Sequence, residues 1–507
     1  MSSISNTHLS FTKWDDEARR VYERSVRFLF LAAASVECPG ARVSIEHSVH
    51  YGVYASLSQP VDNFTVARIE QRMLSYVQAD TPFIREDWPV SQLARLCDDC
   101  AQSPTVRLLA GHSVGTVGPE ETVAVYLLDG YKDYLFGELA PSAGMLKVFA
   151  LHPYAPGVVI QVPASDPKTL LPWTAQPKIM RTFEQAARWA RIINVRYAAD
   201  LNDHVKNGEI RDLVLVSEAL HEKSIAEIAD QIVDRGSRAI LVAGPSSSGK
   251  TTFTHRLAIQ LRVLGKRPLL ISLDDFYKPR EEIKIEADGS RDLEHIDTIN
   301  TALLNRRLTS LLAGEAVAMP RYDFTMGATR VGPTVSLDAD QPLLIEGIHG
   351  LNPKVSESLP QELCFRIYIS AMTALSLDAH NRMRTTDARL IRRIVRDHQF
   401  RSASVDRTLG MWPSVRRGEE RWIFPFQESA DVTFNSALPY EWTALKPYAA
   451  PLLNDVNVSG EQASTLERLR MCLNIIDEAN VERDIGPTSI IREFIGGCSF
   501  YSPSPTE

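Results

Sequence analysis

Cysteine, long apolar runs and excess positive charge are all scarce in this 507-residue chain. Six scattered cysteines are too few for a disulfide framework and point to a reducing compartment, so a cytoplasmic protein is expected. Cys97 and Cys100 form a lone C-x-x-C with no second pair or nearby His, which reads as helix packing, not zinc. The longest apolar stretch of the N-terminal region, Phe28–Ala34, is far shorter than the roughly 20 residues that cross a bilayer. The opening segment MSSISNTHLSFTKWDDEARR is polar and acidic and lacks the apolar core of a signal peptide, so neither leader nor membrane anchor is expected. A net charge of −8 gives no general attraction to nucleic acid, and any basic site must be local. Internal repeats, low-complexity segments and long charge runs are missing too.

What is present is an ordinary globular composition, 44% hydrophobic and 23% charged, in a chain long enough for two or three domains. Apolar runs at Ala41–Ile45, Val123–Leu128 and Gly157–Val162 alternate with helical spacing at Thr65–Ala79 and Thr182–Ala199, which predicts an α+β domain over residues 1–205. The proline-rich stretch Ala155–Lys178 reads as a surface loop, and the polar segment Asn202–Arg211 as the junction. Helical spacing returns from Leu213 to Val233. Strand candidates then follow at Ala239–Ala243, Leu269–Leu273, Leu343–Ile345, Phe365–Ile369 and Asp431–Phe434, with helices between them. Residues 206–450 therefore predict an α/β domain with a doubly wound parallel sheet, and 451–507 a mostly helical extension packed on it.

The most informative segment is Gly244-Pro245-Ser246-Ser247-Ser248-Gly249-Lys250-Thr251, followed by Thr252, between a buried strand and a helix. It has the P-loop pattern, in which the turning backbone aims N–H groups at phosphates. Lys250 is placed to reach the β/γ-phosphates of ATP, and the Thr251 hydroxyl to ligate Mg²⁺. Active-site residues in such sheets collect at the carboxyl ends of strands, which selects Asp274 and Asp275 after the second strand and Glu346 after the third. Phosphoryl transfer to an alcohol needs a proton acceptor, the role expected for one of the aspartates, and a carboxylate near Mg²⁺, the role expected for Glu346. The Asp274 strand is expected beside the P-loop strand. Arg389, Arg392, Arg393 and Arg396 recur at helical spacing, with Arg382 and Arg384 before and Arg401 after, and read as a basic helical lid closing on phosphates.

These motifs resemble the uridine kinase/phosphoribulokinase family of P-loop kinases over about Leu213–Pro447. The further ordered matches are Leu273-Asp274-Asp275-Phe276-Tyr277-Lys278, Pro320-Arg321-Tyr322-Asp323-Phe324, Glu346-Gly347-Ile348, Arg392–Asp397 and Ala430-Asp431-Val432. The resemblance implies Asp274 as catalytic aspartate and Glu346 near Mg²⁺. It also implies phosphate or ribose contacts by Arg393, Arg396 and Arg401, aromatic contacts to a nucleoside by Tyr277 and Tyr322, and ribose-hydroxyl binding by Glu294. The family's base-reading His has no counterpart in Thr325–Arg330, Ala403 replaces a further lid arginine, and Glu294 stands for an aspartate. The implied activity is transfer of the γ-phosphoryl of ATP to a nucleoside hydroxyl, with a sugar or other polyol kinase as alternative.

The whole chain resembles the long uridine kinase-like branch, through Ile345–Pro353, Phe424–Glu428 and Ser489–Gly497. In that branch the N-terminal half is similar to the second N-terminal domain of threonyl-tRNA synthetase, here over Ala67–Met73 and Thr81–Glu86. The synthetase's H-x-x-x-H is His47-Ser48-Val49-His50 followed by Tyr51, read as loop or packing histidines although a shared helix face or metal is open to them. The small ubiquitin-like domain that often precedes this half is not expected. A second reading is then an ATP-switched regulatory protein that binds tRNA or an amino acid. Oligomeric state is open, and a homo-oligomer fits as well as a monomer.

Overall fold

The computed structural model describes residues 11, 14–89, 92–93, 122–285, 291–323 and 326–500. The Cys97/Cys100 pair, most of the first 13 residues, Phe324 and Thr325 lie outside them. The N-terminal half is assembled on helix Asp16–Glu37, started by Asp15, whose carboxylate accepts the Ala18 N–H at 3.0 Å. Its apolar run Phe28–Ala34 is wholly buried, so the run forms a core. No helix among the described residues is long and apolar enough to cross a membrane.

Against this helix lie β1 (Val43–Val49), β2 (Gly52–Leu57), β3 (Ile84–Pro89), β4 (Thr122–Leu128), β5 (Tyr131–Tyr134), β6 (Ala150–Tyr154) and β7 (Gly157–Gln161). They form two antiparallel sheets, ordered β1-β2-β7-β6 and β3-β4-β5. The apolar runs singled out in the sequence fall on β1, β4 and β7, while β2, equally apolar and almost wholly buried, and the other strands were not singled out. The predicted Thr182–Ala199 helix is two helices, Pro177–Ile192 and Ala198–Lys206, separated where Asn194 takes φ +52.

The second half holds β8 (Ala239–Ala243), β9 (Leu269–Ser272), β10 (Val317–Asp323), β11 (Ala328–Val335), β12 (Leu343–Glu346), β13 (Cys364–Ser370) and β14 (Val432–Asn435). Five of them make a parallel sheet in the order β14-β13-β8-β12-β9. Every β8 residue is buried, as expected where helices cover both faces. Ile240 and Val242 meet helices Ile210–Asp234 and Lys250–Val263, while Ala239 and Leu241 meet the side of helix Thr301–Leu312. The order corrects one expectation. The strand before Asp274 is the sheet edge, and β12 separates it from the P-loop strand. Sequence order cannot give sheet order, because each crossover helix allows the chain to skip a place. A hairpin, β10 paired with β11, was not anticipated, because Pro320, Gly332 and Pro333 interrupt its pattern. An isolated two-stranded ribbon tolerates them, having edges where a proline leaves no ladder bond broken.

The C-terminal helices Glu441–Asn454, Glu461–Ile475 and Arg492–Ile495 join the same apolar cluster as the parallel sheet, with Ile490, Ile491 and Phe494 fully buried. The two halves meet through the segment after β13. Arg382 bonds Ser48 at 2.7 Å and Glu23 at 3.1 Å, and His380 pairs with Asp133 at 2.6 Å.

Candidate active site

The P-loop leaves β8 and turns into helix Lys250–Val263 through two left-handed residues, Ser247 at φ +59 and Gly249 at φ +84. A Cβ on Gly249 would also come 2.5 Å from Ile490, so its glycine is required by both dihedral and space. The hydroxyls of Ser247 and Ser248 are buried without a protein partner. Orphaned donors around a helix N-terminus are what a polyphosphate would satisfy.

Lys250 rests its ammonium on the Pro245 carbonyl at 3.2 Å. Burial lowers its pKa, opposed by the charges of Glu346, Glu493 and Asp274. Glu346, at the end of β12, accepts the Thr251 hydroxyl through Oε1 at 3.3 Å and leaves Oε2 buried and unpartnered. Burial pushes it up to about 7, with Lys250 opposing and the Asp274 and Glu493 charges adding. A hydroxyl and a carboxylate with a spare oxygen suit a hard divalent cation. Asp274 lies in a short 3₁₀ turn, Leu273–Phe276, that follows β9. Solvent reaches it, yet protein closes round it enough that lost hydration raises its carboxyl above the ordinary range, against Lys250 and Arg401. Edge strand and P-loop strand thus deliver Asp274 and Lys250 into one field, across β12.

Asp275 turns away and accepts the Tyr322 N–H at 3.3 Å, tying the β10–β11 hairpin to this turn. The Tyr277 and Tyr322 rings stand 5.6 Å apart. Glu294 is half-buried and pushed up to about 7, by burial first and then by the Glu419 charge. It fits only because helix Val405–Trp422 carries Gly418 at the contact, where a Cβ would collide with the Glu294 Cβ.

The basic helix Thr385–Arg401 divides into two parts. Arg393 donates to the Ser246 hydroxyl at 2.8 Å and pairs with Asp397 at 3.2 Å. Asp397 also gathers Arg396 at 2.7 Å and Arg401 at 3.7 Å, so the three arginines expected to meet phosphate share one carboxylate. Arg389 and Arg392 correct the picture of a uniform lid face. Arg389 is buried on Glu419 and Arg392 on Glu441, and each lies over a ring, Trp412 and Phe494 respectively. Arginines at helical spacing share a side of the helix whether that side meets solvent or core, and here residues Asp387–Val395 are all buried.

Two acidic residues at the site were not singled out from sequence. Glu419 accepts the Ser246 N–H at 3.3 Å and is fully buried. Glu493, 241 residues beyond Thr252, accepts its hydroxyl at 2.8 Å and its N–H at 3.4 Å. No local pattern marks either, since each acquires its partner only through folding. His47 and His50 do not share a helix face. His47 lies in β1, stacked on Phe183 at 3.7 Å, and burial holds it near 3 and neutral, while His50 sits in the following turn at φ +53. No cluster of three or more metal-ligating side chains occurs among the described residues.

Residues 239–441 match the model of the family described as Phosphoribulokinase / Uridine kinase family. A uridine kinase of Staphylococcus haemolyticus (strain JCSC1435) is 29% identical over 192 residues, 38% of this chain and 84% of the relative. One from Staphylococcus aureus (strain JH9) is 28% identical over 199 residues, 39% of this chain and 87% of the relative. A solved structure described as a possible uridine kinase from Bacillus stearothermophilus overlays with a TM-score of 0.29 at 19% identity, covering 42% of this chain and 97% of that one. That overlay is too loose to argue from. Residues 239–441 are thus matched as a phosphoribulokinase/uridine kinase family domain, set between an N-terminal half and a C-terminal segment that the family match does not reach.

Proposed function

We propose that the protein transfers the γ-phosphoryl group of ATP to a hydroxyl of a small acceptor, and that the acceptor is a nucleoside. The observation that carries the proposal is the common field of Lys250, Asp274, Glu346 and Thr251 at the carboxyl edge of the sheet. Lys250 and the loop N–H groups hold the phosphates, and Thr251 with Glu346 would hold Mg²⁺, which neutralises charge on the transferring group when bound. Asp274 accepts the hydroxyl proton; its proximity to Lys250 and Arg401 favours the ionised form that this task needs. Arg393, Arg396 and Arg401 stand ready to exchange Asp397 for phosphate oxygens. Tyr277, Tyr322 and Glu294 form the acceptor side, a pair of rings beside one carboxyl, which suits a base and its ribose hydroxyls. The uridine kinases among the relatives support the nucleoside reading.

The test is ADP release with the full chain over a panel of ribonucleosides, 2′-deoxynucleosides, sugars and sugar phosphates, repeated with Asp274→Asn. Turnover with a ribonucleoside, lost in Asp274→Asn while ATP still binds, is the expected result. Turnover only with a sugar or sugar phosphate would replace the nucleoside by that acceptor. Full activity of Asp274→Asn would remove Asp274 from its role.

A further inference from the structure

Between the two halves lies a cavity of about 800 Å³, within the range of small-molecule sites. It is separate from the kinase cleft. Helices Thr385–Arg401 and Val405–Trp422 stand between them, turning Arg393 and Gly418 toward the cleft and Leu409 and Trp412 toward the cavity, with Arg384, the residue before the first helix, on the cavity side.

Its charges are unevenly matched. Near the P-loop, Arg389 is satisfied by Glu419 and the Ser246 carbonyl. Arg416 is satisfied by Glu419 and Glu420, and Arg468 by both oxygens of Asp387 at 2.8 and 3.0 Å. Glu428 is occupied by the N–H groups of Lys178 and Ile179, each at 3.1 Å. The corner at Glu23 differs. One carboxylate there serves three guanidinium groups, Arg382 at 3.1 Å, Arg384 at 3.6 Å and Arg27 at 3.8 Å. The Nε atoms of Arg27 and Arg382 are buried without a hydrogen-bond partner, and Arg27 and Arg384 reach Glu23 only at ion-pair distance, beyond hydrogen-bond range. Burial and the neighbouring Arg382 lower Arg384 to about 10, against the Glu23 charge.

Guanidinium groups withdrawn from water need anionic partners, and a fixed donor fork selects carboxylate or phosphate. The wall leading from this corner is apolar, with Phe183, Met372, Leu409 and Trp412. We propose that this cavity is a second ligand site, which takes a small organic anion with its phosphate or carboxylate head at Arg382 and Arg384 and a flat apolar body against Phe183 and Trp412.

Anilinonaphthalenesulfonate has this chemistry, a fixed anion on an aromatic body, and its fluorescence rises on transfer from water to an apolar wall. Titrated into the full chain, it should bind saturably at one per chain and remain bound in saturating Mg·ATP. Arg384→Gln should weaken it tenfold or more. Gln462→Trp, which adds bulk at a half-buried lining position, should abolish it and tests the site even if the variant of the half-buried Arg384 fails to fold. Competition by inorganic phosphate or by benzoate then tells a phosphate head from a carboxylate head. Displacement by Mg·ATP, non-saturable binding, or unchanged affinity in the folded variants would overturn the proposal.

Discussion

Replacing Glu493 by Gln tests whether the C-terminal segment is part of the kinase machinery. The substitution keeps the shape and a carbonyl oxygen for Thr252, whose hydroxyl now lies 2.8 Å from the carboxylate. It exchanges a charge-assisted hydrogen bond for a neutral one, a loss of about 1 kcal/mol, or roughly fivefold in an equilibrium constant. The electrostatic effect is more diagnostic. Glu346 sits near 7 chiefly through burial, with the Glu493 charge among the influences raising it. Removing that charge lowers the Glu346 pKa, so the acid limb of kcat/KM moves to lower pH. The same charge helps Lys250 keep its proton against burial, so its loss moves the alkaline limb to lower pH as well. Each shift should be on the order of half a pH unit, or ~0.7 kcal/mol. Measured as kcat/KM for ATP between pH 5.5 and pH 10, the whole bell should slide toward acid without narrowing. A profile that stays in place, or limbs that move in opposite directions, would refute the reasoning. Glu493→Ala loses the Thr252 contact altogether and should also raise the KM for ATP about tenfold, equivalent to ~1.4 kcal/mol.

Gly418→Ala should raise the acceptor KM by about tenfold or more while leaving the KM for ATP near its original value, since its new methyl group must displace Glu294 and not the P-loop; equal losses for both substrates would count against it. Glu346 should make Mg²⁺ dependence steep in pH, because the proton competes with the metal below about 7, and the Mg²⁺ needed for half-maximal activity should rise by up to tenfold per unit there. Its folded pKa lies above its ordinary value of 4.5, so ionising it opposes folding: the metal-free protein should lose stability as pH rises from about 4.5 through 7, and Glu346→Gln should lessen that loss in thermal melts. If Glu294 and Arg393 hold cis-hydroxyls while the tyrosines merely flank the base, kcat/KM should fall by on the order of a hundredfold or more for a 2′-deoxynucleoside and change little between bases. Strict pyrimidine selectivity with indifference to the 2′-hydroxyl would sink that assignment.

The parts readable in the chain were those in which neighbouring residues act together. Gly244–Thr252 is a phosphate cradle because a turn and a helix N-terminus are contiguous, and Asp274 and Glu346 were reachable because each stands at the carboxyl end of a short apolar run that forms a strand. The doubly wound fold followed from alternating apolar runs and helical spacing for the same reason. Only the folded chain decided that β12 lies between the Asp274 strand and the P-loop strand, because hydrogen-bonding partners of a parallel strand are not its neighbours in sequence. It alone divided the arginines of one helix between core and cleft, since Arg392 meets Glu441 and Arg393 meets Ser246 from adjacent positions. It also brought Glu493 to Thr252 and Arg382 to Glu23, contacts across 241 and 359 residues. Local propensity is a property of a few consecutive residues, whereas a buried charge is placed by whichever distant group can neutralise it, and that partner exists only once the cores on either side have closed.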